Sequence, residues 1–400
     1  MFKGKKLVIF DMDGTLIDSV GVWNNVDVVL AEKLGGKRPD APYVQRLRDQ
    51  KLRELSSRKD PYLDYCEFLG KLYGSELSPE EIHAMRYGIA VELLTNSVRY
   101  KPCAAEFVKS LKAHGIHSVI ASTTRKQNMD IYRTSNKNIL SVCPPDDYFD
   151  RIYTRENARE IKPNPEIYLT VMKDFCVSPG ECLVFEDSLI GAEASRRAGI
   201  DTAIIYDLYS ENDKEELQKE SCAYFMDYAL AKRALEAEFP LEIRPAENDD
   251  LPEILEIYDY ARKFMAENGN PTQWGKTDPP RELLVSDIER RQLYVAESCG
   301  KLHGVFAFII GEDPTYGYIE NGRWLSDEPY GTIHRIASGG TCGGVFTSCI
   351  SFCESKIKHL RIDTHGNNTV TQHLIEKHGF AKCGVVYMED GSARFAFEKV

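Results

Sequence analysis

Short apolar runs at residues 7–10, 118–121, 183–185 and 202–206 recur through the first half of the chain, with helical stretches between them. Such runs are too brief for buried helices and too uniformly apolar for half-exposed strands, so they read as fully buried strands. Their alternation with helices restricts this part to a parallel sheet covered on both faces, an α/β, Rossmann-like architecture. Between residues 20 and 98 the pattern changes to amphipathic stretches such as 22–34 and 62–73, which marks a helical insertion after the first strand. An Ala-rich helix over 228–238 stops at Pro240 and a fresh strand starts at 241–244, so a domain boundary is expected there. The first domain is then 1–238, with its sheet core from 1–17 and 99–238 and a helical cap over 18–98. The second, 241–400, reads as α+β: a helix over 250–268, paired strands at 292–297 and 301–310, a strand near 331–337 and a helix from 345. A length of 400 residues also calls for two cores.

Charge and cysteine usage narrow the function classes. A net charge of -12 argues against a general nucleic-acid surface, since binders of phosphate backbones carry a basic face. The apolar run before Asp11 is far too short for a signal peptide or a membrane span, so a cytoplasmic chain with no membrane partner is expected. The 11 cysteines include no Cys-x-x-Cys pair and read as reduced, mostly buried thiols.

The first run ends in Asp11-Met12-Asp13-Gly14-Thr15, which places two carboxylates on one side of a strand end. One acid can attack a phosphate ester while the second protonates the leaving oxygen and later activates water. Alone, Asp-x-Asp-Gly is weak, because it also opens calcium loops and common turns. Three further segments carry matching chemistry. Ser122 and Thr123 follow the second run with hydroxyls, Lys162 sits between rigid turns in Ile161-Lys162-Pro163-Asn164-Pro165, and Glu186-Asp187 end the third run. Ligands of open α/β sheets bind beyond the carboxyl ends of the strands, where all four segments fall. Four carboxylates beside one phosphate would repel by about 4 kcal/mol per pair at an effective dielectric near 20, so a hard cation, Mg2+, is expected among them.

At these residues the sequence resembles the haloacid dehalogenase superfamily, over about residues 3–232, and within it the phosphatase and β-phosphoglucomutase-like branch with a helical cap. The resemblance implies Asp11 as nucleophile and Asp13 as general acid/base, with Ser122, Thr123 and Lys162 on the phosphoryl group. It also implies Mg2+ held by Asp11, the backbone carbonyl of Asp13, and Asp187, with Glu186 as a further or water-mediated ligand. Asp13 separates the chain from the dehalogenases. A phosphomutase is the alternative, disfavoured because Trp23 stands where the mutases carry a histidine; Arg46, Arg48, Lys51 and Arg53 are the residues that could hold a distal phosphate.

In the second half, a strand leads through Ser338-Gly339-Gly340-Thr341-Cys342-Gly343-Gly344 into a helix, a turn whose backbone amides can cradle a pyrophosphate. Downstream come a strand at 360–364, Asn368, a helix, and His378-Gly379-Phe380. This order resembles the GNAT acyl-CoA N-acyltransferases over about 241–400. The resemblance implies acetyl-CoA as co-substrate, with its pyrophosphate on Gly339, Gly340, Gly343 and Gly344, Asn368 on the cofactor, and Tyr387 as acid for the departing thiolate. Phe346 departs from the family pattern and is expected to crowd the pyrophosphate. Trp274, Glu320 and Arg323 are candidates for the acceptor pocket, while His334 and His365 read as structural. The chain is therefore expected to be bifunctional, dephosphorylating a small phosphate ester and acylating an amine. A second domain that binds CoA without catalysis is the alternative.

Overall fold

Uninterrupted apolar runs pair best where both faces are covered, and in the computed structural model each forms a strand of one parallel sheet. Residues 1–55 and 60–400 are described. The chain divides into two units, Met1–Glu238 and Phe239–Val400. The first holds β1 (Leu7–Phe10), β2 (His117–Ala121), β3 (Arg151–Tyr153), β4 (Cys182–Glu186), β5 (Asp201–Ile205) and β6 (Ala223–Phe225), in the order β3-β2-β1-β4-β5-β6. β3 and β6, three residues each, were too short to stand out in the sequence. Phe10 on the central β1 pairs with Ile120 on one side and Phe185 on the other, so these strands end level. Asp11, Ser122 and Glu186 are thereby delivered to one edge.

Core side chains on both faces hold the sheet. Leu7, Ile9, Val119, Tyr168 and Val184 pack on one face. On the other, Phe10, Phe107, Phe185 and Tyr228 form a ring cluster with centroids 5.1–6.1 Å apart. Among the described residues the insertion after β1 is four helices: α1 (Val22–Lys33), α2 (Ala41–Glu54), α3 (Pro61–Tyr73) and α4 (Pro79–Asn96). Ser78 and Glu81 start α4 with a reciprocal capping box that satisfies two otherwise open amides. Inside the cap, buried Asp27 of α1 accepts from Arg48 of α2 at 3.0 Å and Arg86 of α4 at 2.7 Å, and the Arg86 guanidinium lies 5.1 Å from the Trp23 ring.

The second unit is a seven-stranded mixed sheet, ordered β12-β13-β11-β10-β9-β8-β7. Its strands are β7 (Glu242–Pro245), β8 (Leu293–Ser298), β9 (Lys301–Ile310), β10 (Gly331–Ser338), β11 (Leu360–Thr364), β12 (Ala381–Tyr387) and β13 (Ala393–Lys399). β7 to β10 run as an antiparallel meander, whereas β10 and β11 are parallel. That parallel pairing lasts only from Gly331 to Ile333, and beyond it a one-residue bulge between His334 and Ala337 bends β10. Among the described residues, no helix is long and apolar enough to cross a membrane.

Candidate active site

Level strand ends bring Asp11, Glu186 and Asp187 together, with carboxylate oxygens within 4.8 Å of one another. Gly14 makes this approach possible, because its φ is +83° and a Cβ there would lie 2.4 Å from Asp187 Oδ2. Thr15 donates to Asp187 Oδ1 at 2.8 Å. Lys162 Nζ donates to Asp11 Oδ1 at 2.6 Å and to Glu186 Oε1 at 2.7 Å, with all three side chains buried.

Three buried carboxylates thus face one ammonium, and two of them, Asp11 and Asp187, hold their protons more tightly than usual. Burial pushes the Asp11 carboxyl up to about 7, against the opposing pull of Lys162. Burial and the Glu186 charge together raise Asp187 well above the usual carboxylate range. Lys162 is held firmly protonated, the Asp11 and Glu186 charges overcoming its desolvation.

The donor set fits a hard divalent cation. Asp11 Oδ2 and Asp187 Oδ2 accept no hydrogen bond among the described residues, and neither does the backbone carbonyl of Asp13. Glu186 differs: Oε1 takes Lys162 and the Tyr168 hydroxyl, while Oε2 takes the Asp187 amide and the Ser188 hydroxyl. Its oxygens are committed to holding Lys162 and the turn into the next helix.

The carboxyl of Asp13 lies apart from that cluster. It accepts from the hydroxyls of Ser19, Thr124 and Tyr132. Ser122 is buried and hydrogen-bonds Thr124, whereas Thr123 is exposed, so the second hydroxyl at this strand end is one residue further on than the sequence suggested. In the cap, Arg48 is tied to Asp27 and Asn24, Lys51 to Glu54, and Arg46 is exposed; the side chain of Arg53 lies outside the described residues.

In the second unit the parting of β10 from β11 opens a cleft of about 970 Å³, lined by Ser338, Gly340, Asn368, Trp274, His334 and Asp363 among others. Gly340 has φ +70° and packs so closely that a Cβ would meet the Tyr260 ring at 2.2 Å. Gly344 starts the helix Val345–Lys356, and no side chain caps that helix among the described residues, so its first amides face outward. The Phe346 ring does not crowd this turn: it packs into the core with Phe308, Ile350 and Phe380, and its exposed edge forms part of the cleft floor. Asn368 caps the helix Thr369–Lys377 by accepting from Thr371 and donates to Gln273, a role that helix capping alone explains. Tyr387 is exposed and donates to Glu320; it does not line the cleft, and neither do Glu320 and Arg323. His334, read from sequence as structural, does line it.

The family model for haloacid dehalogenase-like hydrolases matches residues 8–205. A phosphorylated carbohydrates phosphatase of Thermotoga maritima is 30% identical over 211 residues, which is 52% of this chain and 88% of that protein. The chain belongs to the haloacid dehalogenase-like hydrolases. Protein CbbY of Rhodobacter capsulatus is 28% identical over 213 residues, again 52% of this chain and 88% of that protein. Against the second half, a solved GNAT-family acetyltransferase from Streptococcus agalactiae is 31% identical, with a TM-score of 0.36, covering 40% of this chain and 95% of that one.

Three residues of this hydrolase site escaped the sequence reading. Thr15 bonds Asp187 and Thr124 bonds Asp13, and Tyr168 lies under Lys162, its ring centroid 5.0 Å from Nζ. Thr15 was legible in principle as the hydroxyl nearest the Asp-x-Asp-Gly turn. Tyr168, a helical aromatic at core spacing, carried no signal that set it apart from packing.

Proposed function

We propose that the first unit is a Mg2+-dependent phosphatase acting on a small phosphorylated carbohydrate through an aspartyl-phosphate on Asp11. The convergence of Asp11, Asp187 and Lys162 at level strand ends carries this reading. Asp11 attacks phosphorus in line with the ester oxygen, and Asp13 protonates that oxygen as its bond to phosphorus breaks. Asp13 then takes a proton from water, which attacks the aspartyl-phosphate and regenerates Asp11. Lys162 and the Ser122 hydroxyl hold the transferring oxygens, and Glu186, with Tyr168, fixes Lys162. Mg2+ on Asp11, Asp187 and the Asp13 carbonyl would supply charge neutralisation for the phosphoryl oxygens. The carbohydrate class is drawn from a relative, the phosphorylated carbohydrates phosphatase of Thermotoga maritima. Release of phosphate from a panel of sugar, nucleotide and amino-acid phosphates, with and without Mg2+, tests the reading; turnover unaffected by chelation, or confined to non-sugar esters, would overturn it. Of the cations a mutase could use to hold a second phosphate, Arg48 and Lys51 are already paired, which favours hydrolysis.

We further infer that the second unit is an acyl-CoA N-acyltransferase. The short β10–β11 pairing, the cleft beyond it and the uncapped helix start after Gly344 support a bound pyrophosphate and an acyl thioester between the strands. Calorimetry with acetyl-CoA and an amine panel tests it. Binding without turnover would favour a non-catalytic CoA module.

A further inference from the structure

At the point where β10 leaves β11, His334 donates or accepts at Nε2 with Asp313 Oδ2, 2.7 Å away, while its Nδ1 stands 3.9 Å from Asp363 Oδ2. The Asp313 carboxylate fixes the ring proton on Nε2, so the lone pair lies on Nδ1. A gap of 3.9 Å is too long for a hydrogen bond, yet one nitrogen donor about 2.8 Å from each atom fits into it. Asp363 Oδ2 also accepts from the buried Tyr316 hydroxyl at 2.9 Å. His334 is therefore faced by Asp313 and Tyr316 from the loop 311–330 and by Asp363 from β11.

That loop is locked rather than draped. Glu320 exchanges two backbone bonds with Val385 of β12, the Trp324 indole donates to the Tyr316 carbonyl, and the Leu325 amide donates to buried Glu398. Arg361 is sandwiched between Trp324 and Tyr330, its guanidinium carbon 4.0 and 3.9 Å from their ring centroids. Burial would raise the Asp313 carboxyl, but bonds from His334 and Thr315 outweigh it and hold it at about 2, ionised beside the imidazole.

We propose that His334 is the proton acceptor of this cleft, and that its substrate is a primary amine entering as an ammonium ion between His334 Nδ1 and Asp363. The inference rests on the acyltransferase reading of the second unit. His334 Nδ1 removes one ammonium proton, and the freed lone pair attacks the carbonyl carbon of the acyl thioester. The C–N bond forms, the C–S bond breaks, and the thiolate leaves with the electron pair and takes the second nitrogen proton. The first proton passes from His334 to solvent, giving amide, free thiol and one proton.

The test uses the full chain, acetyl-CoA, and spermidine, cadaverine, tyramine and glucosamine as acceptors. Acetylation of at least one is expected, with His334→Gln lowering kcat/KM by about 100-fold or more and leaving acetyl-CoA affinity within about threefold. Asp313→Asn, a milder change that spares the imidazole, is expected to fall between the two and covers the case in which His334→Gln misfolds. Retained transfer in His334→Gln overturns the assignment of the base. Acetyl-CoA binding without acetylation of any of the four amines overturns the substrate class alone. Failure to bind acetyl-CoA at all instead removes the acyltransferase reading, and the inference with it.

Discussion

Gly191 lies in the helix Leu189–Arg197, directly under Glu186, and a Cβ there would sit 1.9 Å from the Glu186 carboxyl carbon and 2.0 and 2.2 Å from its oxygens. Ordinary contact begins at 3.4 Å, so in Gly191→Ala the carboxylate must retreat by roughly 1.5 Å. It cannot do so with its backbone, which is paired to Ile204 at the end of β4. The side chain must swing, and its bonds to Lys162 at 2.7 Å and Tyr168 at 2.9 Å are lost together. Lys162 is then held by Asp11 alone. Misplacing a catalytic group by about 1 Å costs about 100-fold in rate, and that is the expected fall in kcat. Stability falls as well. Overpacking costs about 1–3 kcal/mol, against the about 0.5–1 kcal/mol that alanine returns in a helix. Breaking the buried Lys162–Glu186 pair costs about 3 kcal/mol, the low end of its range because Asp11 still holds Lys162, so the melting temperature is expected to drop by about 8–16 °C. Initial rates of p-nitrophenyl phosphate hydrolysis at saturating substrate and Mg2+, with a thermal melt of the same preparation, measure both. A variant within about threefold of wild type would show that Glu186 does not position Lys162.

Asp11→Asn is expected to abolish phosphatase turnover while the protein still melts cooperatively, because an amide cannot form the acyl phosphate; residual hydrolysis in a pure preparation removes the nucleophile assignment. The Asp11 carboxyl keeps its proton up to about 7 in the fold but releases it near 3.8 when unfolded. Between those values the native state binds more protons than the unfolded chain, so metal-free stability declines as pH rises through this window. Melting curves should therefore show a larger gain from Mg2+ near pH 8 than near pH 5, and equal gains would contradict the argument. Arg86→Met leaves Asp27 with Arg48 as its remaining cation, and breaking such a buried pair costs about 3 kcal/mol, the low end of its range because one partner survives. Urea titration should show a lowered midpoint, and an unchanged one would mean the pair contributes nothing to the cap.

Much of the first unit could be read from residue types because a parallel sheet converts strand order into a shared edge. Any polar residue ending a buried run must appear there, which is why Asp11, Ser122 and Glu186 could be placed together before the coordinates. The hydroxyl partners could not, since choosing Thr124 over Thr123 depends on how the chain turns after β2. In the second unit β10, β11 and the glycine turn were legible. The direction of individual side chains was not. Phe346 lies close to the turn in sequence but packs toward the sheet, and Tyr387 leaves its strand on the side of Glu320. His334 looked like a packing residue because its partner Asp313 comes from a loop 21 positions away, with no periodic pattern to betray it.

The bulge in β10 makes this second site sensitive to chain length rather than to residue identity. Arg335, at φ +52°, is the surplus residue that lets Ala337 regain its place opposite Val305 after His334 has faced Ala307. Removing that surplus residue would restore an unbroken ladder with Ala337 still opposite Val305, and the bend that parts β10 from β11 would go with it. The sheet would keep its hydrogen bonds and its apolar count. The cleft that opens where the two strands part would narrow, however, without anything unfolding.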